Sequence, residues 1–541
     1  MMSGQGIPVL ILKEGTTRVR GREALRTNIS VAKAVADAVR TTLGPKSMMK
    51  MLVDSFGDVV VTGDGATVMK EIEVEHPIAK MMVEVAKATD QEAGDGTTTS
   101  VILTGELLKA AEELIDLEIH PTLIVEAYRK AARKALETVD EQKIRIDWKD
   151  KEVLKKIAMV SMSTKAAYYA REYLADLAVE AILAVAEERD GKIVADLDNV
   201  KIEKKDGKSG YDSQLVRGVV IDKEVVHPEM PKKIENAKIA LIQAPLEIEK
   251  LEYDSKINIT SPEMMRKFKE KEKEILKNMV EKIKEVGANV VFCQKGIDDV
   301  AQHFLAQLGI LAVRRVKKSD MEKLARATGA SVVANIRDLK PEDLGEAELV
   351  EERIVGEDKM VFVEGCKNPR SVSILIRGGT KQIIDEAERT LKDALSVVRN
   401  AIEDQEIVVG GGAIETEIAL ALQEYAKTLG GKEQLVVNKF ADAVMTIPKI
   451  LIENSGFDVV TKSAELVKAH TEGSKYAGVD LETGEIVDMR ERGILEPARV
   501  KRQVIKSASE TAEAILKIDD VIAAGKAKEE KKGKEESGEF G

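Results

Sequence analysis

The spacing of apolar residues changes character twice along the chain, and that change constrains the fold more than any motif does. Helical spacing comes first: Leu25, Ile29, Val35, Val39 and Leu43 line one face before Gly44-Pro45 stops the pattern, and helical stretches continue over Val101–Leu117 and Leu123–Val139. Short β-rich runs, Met51–Asp54 and Asp58–Thr62, flank Ser55-Phe56-Gly57 and predict a hairpin. From about Gly218 the pattern becomes short apolar strands, Val219–Ile221, Ile239–Ile242, Val290–Phe292 and Leu311–Val313, alternating with helices. After Gly378-Gly379 helical spacing returns over Ile383–Ile402 and runs to about residue 524. Helical ends around an α/β middle predict a discontinuous outer domain carrying an inserted one.

The length, 541 residues, suits three or four domains at roughly 150 residues each. Lys and Arg total 83 against 95 Asp and Glu, a formal charge of −12, which is the wrong sign for a nucleic-acid binder. Aromatic residues make up only 3%, too few for base-stacking platforms or membrane belts. No run of 18 apolar residues occurs and Met1–Gly6 does not begin a signal peptide, so a cytoplasmic protein without a membrane partner is expected. Cys293 and Cys366 form no Cys-x-x-Cys pair and read as reduced thiols. The five histidines are far apart in sequence and lack His-Glu-x-x-His spacing, so His-centred catalysis is not expected. A helix is predicted from Ser261 as N-cap through Pro262 to Gly287, with Phe268, Ile275, Met279, Ile283 and Val286 on its apolar face and a charged first half in water. The Lys/Glu/Gly-rich tail 525–541 should be disordered.

No Gly-x-x-x-x-Gly-Lys-Ser/Thr motif is present. Gly-Asp-Gly occurs twice instead, at 63–65 and 94–96, the second followed by Thr97-Thr98-Thr99-Ser100. Glycines there would let backbone amides reach an anion, threonine hydroxyls and a helix N-terminus would add donors, and Asp95 would offer magnesium a hard oxygen. The alternative is a turn with a Thr N-cap. Asp64 could order a water or form a turn at the hairpin end. Gly410-Gly411-Gly412 reads on its own as a flexible joint, and Asp393 as a solvated helix carboxylate.

Taken in order, Thr42-Leu43-Gly44-Pro45-Lys46, Met51-Leu52-Val53-Asp54, Thr62-Gly63-Asp64-Gly65, Gly94-Asp95-Gly96-Thr97-Thr98-Thr99, Asp393-Ala394-Leu395 and Gly410-Gly411-Gly412-Ala413 resemble the motif series of the chaperonins over about residues 8 to 524. The charged helix inserted in the middle block resembles the built-in lid of the group II, thermosome type, which needs no separate co-chaperonin. The resemblance implies a multidomain α and α/β fold. Its mainly helical equatorial domain would comprise 1–149 and 408–524, its small intermediate domain 150–217 and 379–407, and its α/β apical domain 218–378 with a helical lid protrusion at about 249–287.

The same resemblance implies ATP and Mg2+ as ligands. Leu43, Gly44 and Pro45 match the loop along the nucleotide, Asp95 the metal ligand, and Gly96, Thr97, Thr98 and Thr99 the phosphate-binding turn. Asp64 and Asp393 match the carboxylates around the hydrolytic water, and Lys165 the γ-phosphate sensor. Gly411 and Gly412 match the glycines beside the nucleotide, and Gly478 and Glu496 the base and ribose contacts. The implied function is ATP-driven enclosure of unfolded proteins in a double ring of identical or paralogous subunits. Ser47, Met49, Gly63, Thr164 and Gln405 depart from the family's usual residues. Those departures leave as the alternative a specialised ring or filament subunit with slow or regulatory ATPase. Apolar residues near the lid tip, Leu251, Tyr253, Ile257, Ile259, Met264 and Met265, could touch clients, while the stripe Ile297, Val300, Ala301, Phe304, Leu305 and Leu308 reads mainly as core.

Overall fold

The computed structural model describes residues 17–523 apart from 56, 58, 73, 165–169, 249–261 and 367–369. Lys165, the lid-tip residues Leu251, Tyr253, Ile257 and Ile259, the side chain of Met264, the expected cap Ser261 and the charged tail lie outside the described residues.

Both helical ends of the chain share one core, which runs from Leu25 to Val200 and resumes from Val372 to Leu516. Its first helix, Gly21–Arg40, buries Leu25, Ile29, Ala32, Ala36 and Val39. The apolar pattern continues to Leu43, but the helix closes earlier because the Thr42 hydroxyl and amide both bond the Val39 carbonyl, at 2.8 and 3.0 Å. Three long helices, Thr97–Asp116, Pro121–Gln142 and Gly431–Asn454, meet at Tyr128. That ring sits edge-on against Phe440 at 5.3 Å between centroids and its hydroxyl donates to the Leu107 carbonyl at 2.7 Å. The expected hairpin is present as Lys50–Val53 and Val59–Thr62, paired antiparallel. The last helix, Ala498–Leu516, does not continue to residue 524: a strand, Asp520–Ala523, follows it and pairs antiparallel with Thr17–Arg20. Four residues are too few for a helical or a strand period to show in the sequence.

The middle block forms a mixed sheet in the order Leu311–Val313, Val290–Cys293, Lys233–Ile242, Gly345–Val355, Asp358–Cys366, Gly218–Ile221. The first three strands are parallel, as βαβ alternation requires, and the others pair antiparallel. A second core, from Val219 to Val363, fills this block. The helix Pro262–Glu285 anchors only through its C-terminal half, where Leu276, Val280 and Ile283 are buried. Phe268 and Ile275, expected on the buried face, are exposed; among the described residues no second layer covers that part of the helix. In the Asp299–Gln307 helix Ala301 and Leu305 are core, Phe304 is half-buried and Val300 is exposed.

A three-stranded sheet joins the two blocks: Val372–Gly378 lies between Val200–Asp206, parallel, and Gln214–Val216, antiparallel. Beside it the Lys201 ammonium donates to the Val220 carbonyl at 2.5 Å and pairs with Glu203 and Asp320, each at 2.8 Å. The Asp320 contact crosses from this sheet to the Lys318–Thr328 helix of the middle block.

Candidate nucleotide site

Two helices open side chain-free at their N-termini. Thr97–Asp116 is preceded by Gly96 at φ +82°, and Ala413–Lys427 by Gly412 at φ +88°, conformations that L side chains rarely adopt. The N-cap of the first helix is therefore glycine, and the alternative of a threonine cap is not realised. Its first ladder bond joins Ser100 N–H to the Gly96 carbonyl, so the amides of Thr97, Thr98 and Thr99 precede the ladder at its positive end. The Gly410–Gly412 segment is a tight strand-to-helix turn whose glycines are closely packed where a Cβ would stand, and not a joint. A Cβ on Gly412 would stand 2.8 Å from Pro448, one on Gly411 3.0 Å from Met489 Sδ, and one on Gly410 would collide with Glu496. Gly478 packs against Met489 and the Gly411 carbonyl. Gly44 faces Leu451, one turn beyond Pro448 on the same helix, and the Leu43 carbonyl accepts from Asn454 Nδ2 at 2.9 Å, while Pro45 is exposed.

Asp64 caps the short helix Gly65–Glu71, its Oδ2 accepting from the Thr67 amide at 2.9 Å and hydroxyl at 2.7 Å. The turn alternative is thus realised, and it fixes the carboxylate beside the second loop: a Cβ on Gly65 would collide with Thr98. Asp95 accepts from the Gly96 amide at 2.7 Å.

The Lys381–Asp404 helix binds these loops together. Glu386, Asp393 and Asn400 recur every seven residues and so share one face. Glu386 accepts from the Thr62 hydroxyl at 3.2 Å, and that hydroxyl in turn accepts from the Asp64 amide at 3.0 Å. Asn400 donates to the Ala93 carbonyl at 2.7 Å. Asp393, half-buried, sits between these two anchors, so it is not the freely solvated carboxylate that its local sequence suggests. Gly94 lies against Ser396 so closely that any Cβ would collide, and its φ of +66° adds strain. Gly94→Ala should therefore push the helix off the loop and lower any turnover that needs Asp393 by up to about 10²-fold. Ser396→Gly in the same chain should restore part of it, and steady-state phosphate release measures both.

Glu496 belongs to a buried triad. Lys501 Nζ lies 2.8 Å from Glu496 Oε2 and 2.7 Å from Glu415 Oε1, with the Lys501 and Glu415 side chains 11% and 7% exposed. Burial pushes the Glu496 carboxyl above its usual range; Lys501 opposes the shift, and Glu415 and Asp95 add to it. Burial alone would lower the Lys501 ammonium, but the two carboxylates outweigh it and hold it charged. Burial raises the thiols of Cys293 to about 11 and of Cys366 to about 12, so neither is a nucleophile.

The structure brings together Asp64, Asp95, Thr97–Thr99, Asp393, Gly411, Gly412, Gly478 and Glu496 from six chain segments. The donors are hard oxygens beside helix N-termini, a set suited to a phosphate chain and Mg2+. Sequence reasoning missed Glu386, Asn400, Lys501 and Glu415. The seven-residue spacing around Asp393 was a usable signal for the first two; nothing local marks Lys501.

A sequence model of the TCP-1/cpn60 chaperonin family matches residues 35–526. The chain is 60% identical to a thermosome subunit of Pyrococcus horikoshii over 98% of this chain and 97% of that protein. It is 58% identical to the thermosome subunit beta of Thermococcus kodakarensis, over 98% and 97%. With the thermosome subunit alpha of Archaeoglobus fulgidus it shares 56% identity over 99% of each chain.

Proposed function

The chain belongs to the TCP-1/cpn60 chaperonin family, as a group II chaperonin subunit that acts in protein folding, and from that premise we propose that it couples ATP hydrolysis to enclosure of unfolded proteins in a double-ring chamber. The observation that carries this reading is the Lys381–Asp404 helix, clamped at Glu386 and Asn400 over the two loops that precede the Gly65–Glu71 and Thr97–Asp116 helices.

In this reading the amides and hydroxyls of Thr97–Thr99 and the turn at Gly411-Gly412 hold the phosphates. Leu43, Gly44 and Pro45 run along the nucleotide, and Gly478 and Glu496 bound its base and ribose. Asp95 holds Mg2+, which when bound neutralises phosphate charge. Asp64 and Asp393 orient the attacking water, Asp64 fixed by its cap and Asp393 by its helix, so catalysis is chiefly positioning. Lys165 senses the γ-phosphate. Because Asp393 stands on the helix that follows the Val372–Gly378 strand joining the two blocks, its approach to the nucleotide doubles as a conformational signal.

The domain division proposed is equatorial 1–149 and 408–524, intermediate 150–217 and 379–407, and apical 218–378. The projecting, charged first half of Pro262–Glu285 supports a built-in lid. The exposed apolar hairpin residues Met51, Val53 and Val59 support subunit association, and no helix among the described residues is long and apolar enough to cross a membrane. We place the assembly in the cytoplasm, with identical or paralogous subunits as partners. Acidic, charged walls would disfavour client adhesion after closure.

The test is refolding of a denatured client with ATP and Mg2+, run on a particle sized by light scattering. A ring near a megadalton that refolds client only with ATP is expected. A 59.2 kDa monomer, or refolding indifferent to ATP, would overturn the reading.

A further inference from the structure

Apart from the residues of the candidate nucleotide site, the middle block brings His227, Glu229 and His303 together, with one potential ligand atom of each within 4.8 Å of the others. No other group of three His, Cys, Asp or Glu residues among those described meets this condition. The histidines are 76 residues apart in sequence, which is why spacing gave no hint of them. We propose that these three residues form a binding site for a divalent transition-metal ion of the zinc class.

The chemistry of the set supports it. Two imidazoles and one carboxylate, with the fourth position open to water, is a common four-coordinate zinc donor set, and imidazole selects zinc and its neighbours over magnesium or calcium. Tetrahedral ligation at about 2.0–2.2 Å needs ligand atoms roughly 3.3 Å apart, so the side chains must close by up to about 1.5 Å. They have the freedom to do so: Glu229 and His303 are exposed and His227 is half-buried.

The backbone beneath them is fixed. Val226 N–H bonds the Ala312 carbonyl at 3.0 Å, Val225 N–H bonds Glu352 at 2.7 Å, and Met230 N–H closes a turn on the His227 carbonyl at 3.1 Å. His303 rides on the Asp299–Gln307 helix, capped by Asp298, and its ring stands 6.2 Å from that of His227 between centroids. The Gln307 carboxamide lies 3.0 Å from His303 Nε2; with its oxygen turned inward it accepts Nε2–H and leaves Nδ1 to ligate. His227 Nδ1 accepts a long bond from Glu229 N–H, 3.2 Å, so ligation through Nε2 moves the ring proton to Nδ1 and gives that bond up.

An ion here would tie the 225–230 loop to the helix whose Phe304 and Gln307 line a groove of about 500 Å3 against the Pro262–Glu285 helix. The site therefore bears on the stiffness of a surface next to the projecting helix, independently of nucleotide.

The experiment titrates Co2+ into untagged full-length protein with Mg2+ in excess. One equivalent per subunit with the intense visible absorption of four-coordinate Co2+, displaced by Zn2+, is expected. His227→Gln and His303→Gln should each weaken binding by at least about tenfold, and Glu229→Gln in the same direction, while Asp95→Asn leaves this equivalent in place. Two of the three ligands are exposed and the third is half-buried, and unchanged circular dichroism establishes that the variants fold. Absence of a Co2+ equivalent, a weak six-coordinate spectrum, or wild-type affinity in His303→Gln would each overturn the proposal.

Discussion

Asp393→Ala should reduce ATP turnover by about 10²- to 10⁴-fold while leaving nucleotide affinity within a few-fold of the parent. The expectation follows from position. Asp393 lies midway between Glu386, which holds the Thr62–Asp64 turn, and Asn400, which holds Ala93. The phosphate-binding elements proposed at Thr97–Thr99 and Gly411-Gly412 come from other segments and remain intact in the variant. Loss should therefore appear in kcat and not in binding. If, as proposed, binding moves the domains and hydrolysis resets them, client refolding should stop after one round of closure. Hydrolysis and refolding at the parent rate would remove Asp393 from the mechanism. Asp393→Asn separates charge from shape: a side chain that only packs would be rescued by Asn, whereas one that orients water by its charge would not.

Lys501→Ala should destabilise the core that both chain ends share by about 3–5 kcal/mol, the cost of leaving a buried carboxylate pair without its cation. Glu415 and Glu496 both depend on one ammonium at 2.7–2.8 Å. Removing Glu415 together with Lys501, as Lys501→Met with Glu415→Leu, should cost less than Lys501→Ala alone, because no unpaired charge at 415 then remains. The pH dependence has a definite sign. The Glu496 carboxyl already stands above its usual range because of burial, and without Lys501 it rises further. A carboxyl raised in the folded state favours folding below its unfolded pKa, about 4.3, and that benefit is lost as pH rises through the folded value. The deficit of Lys501→Ala should hence be smaller near pH 5 than near pH 8, as measured by denaturant midpoints. A deficit independent of pH would mean that the lost contact is packing and not charge.

How far the sequence was legible depends on the range of the interactions involved. The Lys381–Asp404 helix and the β strands at Val290 and Leu311 announce themselves because periodicity is a local property of apolar residues. The exposure of Phe268 and Ile275 was not legible: a helical stripe shows which residues could be buried, not whether a second layer exists to bury them. Gly412 looked like a joint since a glycine run permits both freedom and close approach, and only the neighbours Pro448, Met489 and Glu496 decide between the two. Gln405 is a departure of the opposite kind. It holds φ +56° at the end of the Asp393 helix, where the resemblance led one to expect glycine.

By itself the sequence determined that helical ends enclose an α/β block, that Gly-Asp-Gly precedes three threonines, and, through motif order, the family. These are consequences of short-range chemistry and can be read without coordinates. Only the tertiary structure decided that Asp393 is anchored between Thr62 and Ala93, that Lys501 serves two carboxylates, and that His227 meets His303. Each of those depends on segments tens to hundreds of residues apart, and their meeting is fixed by burial of the core those segments share, which no local pattern encodes.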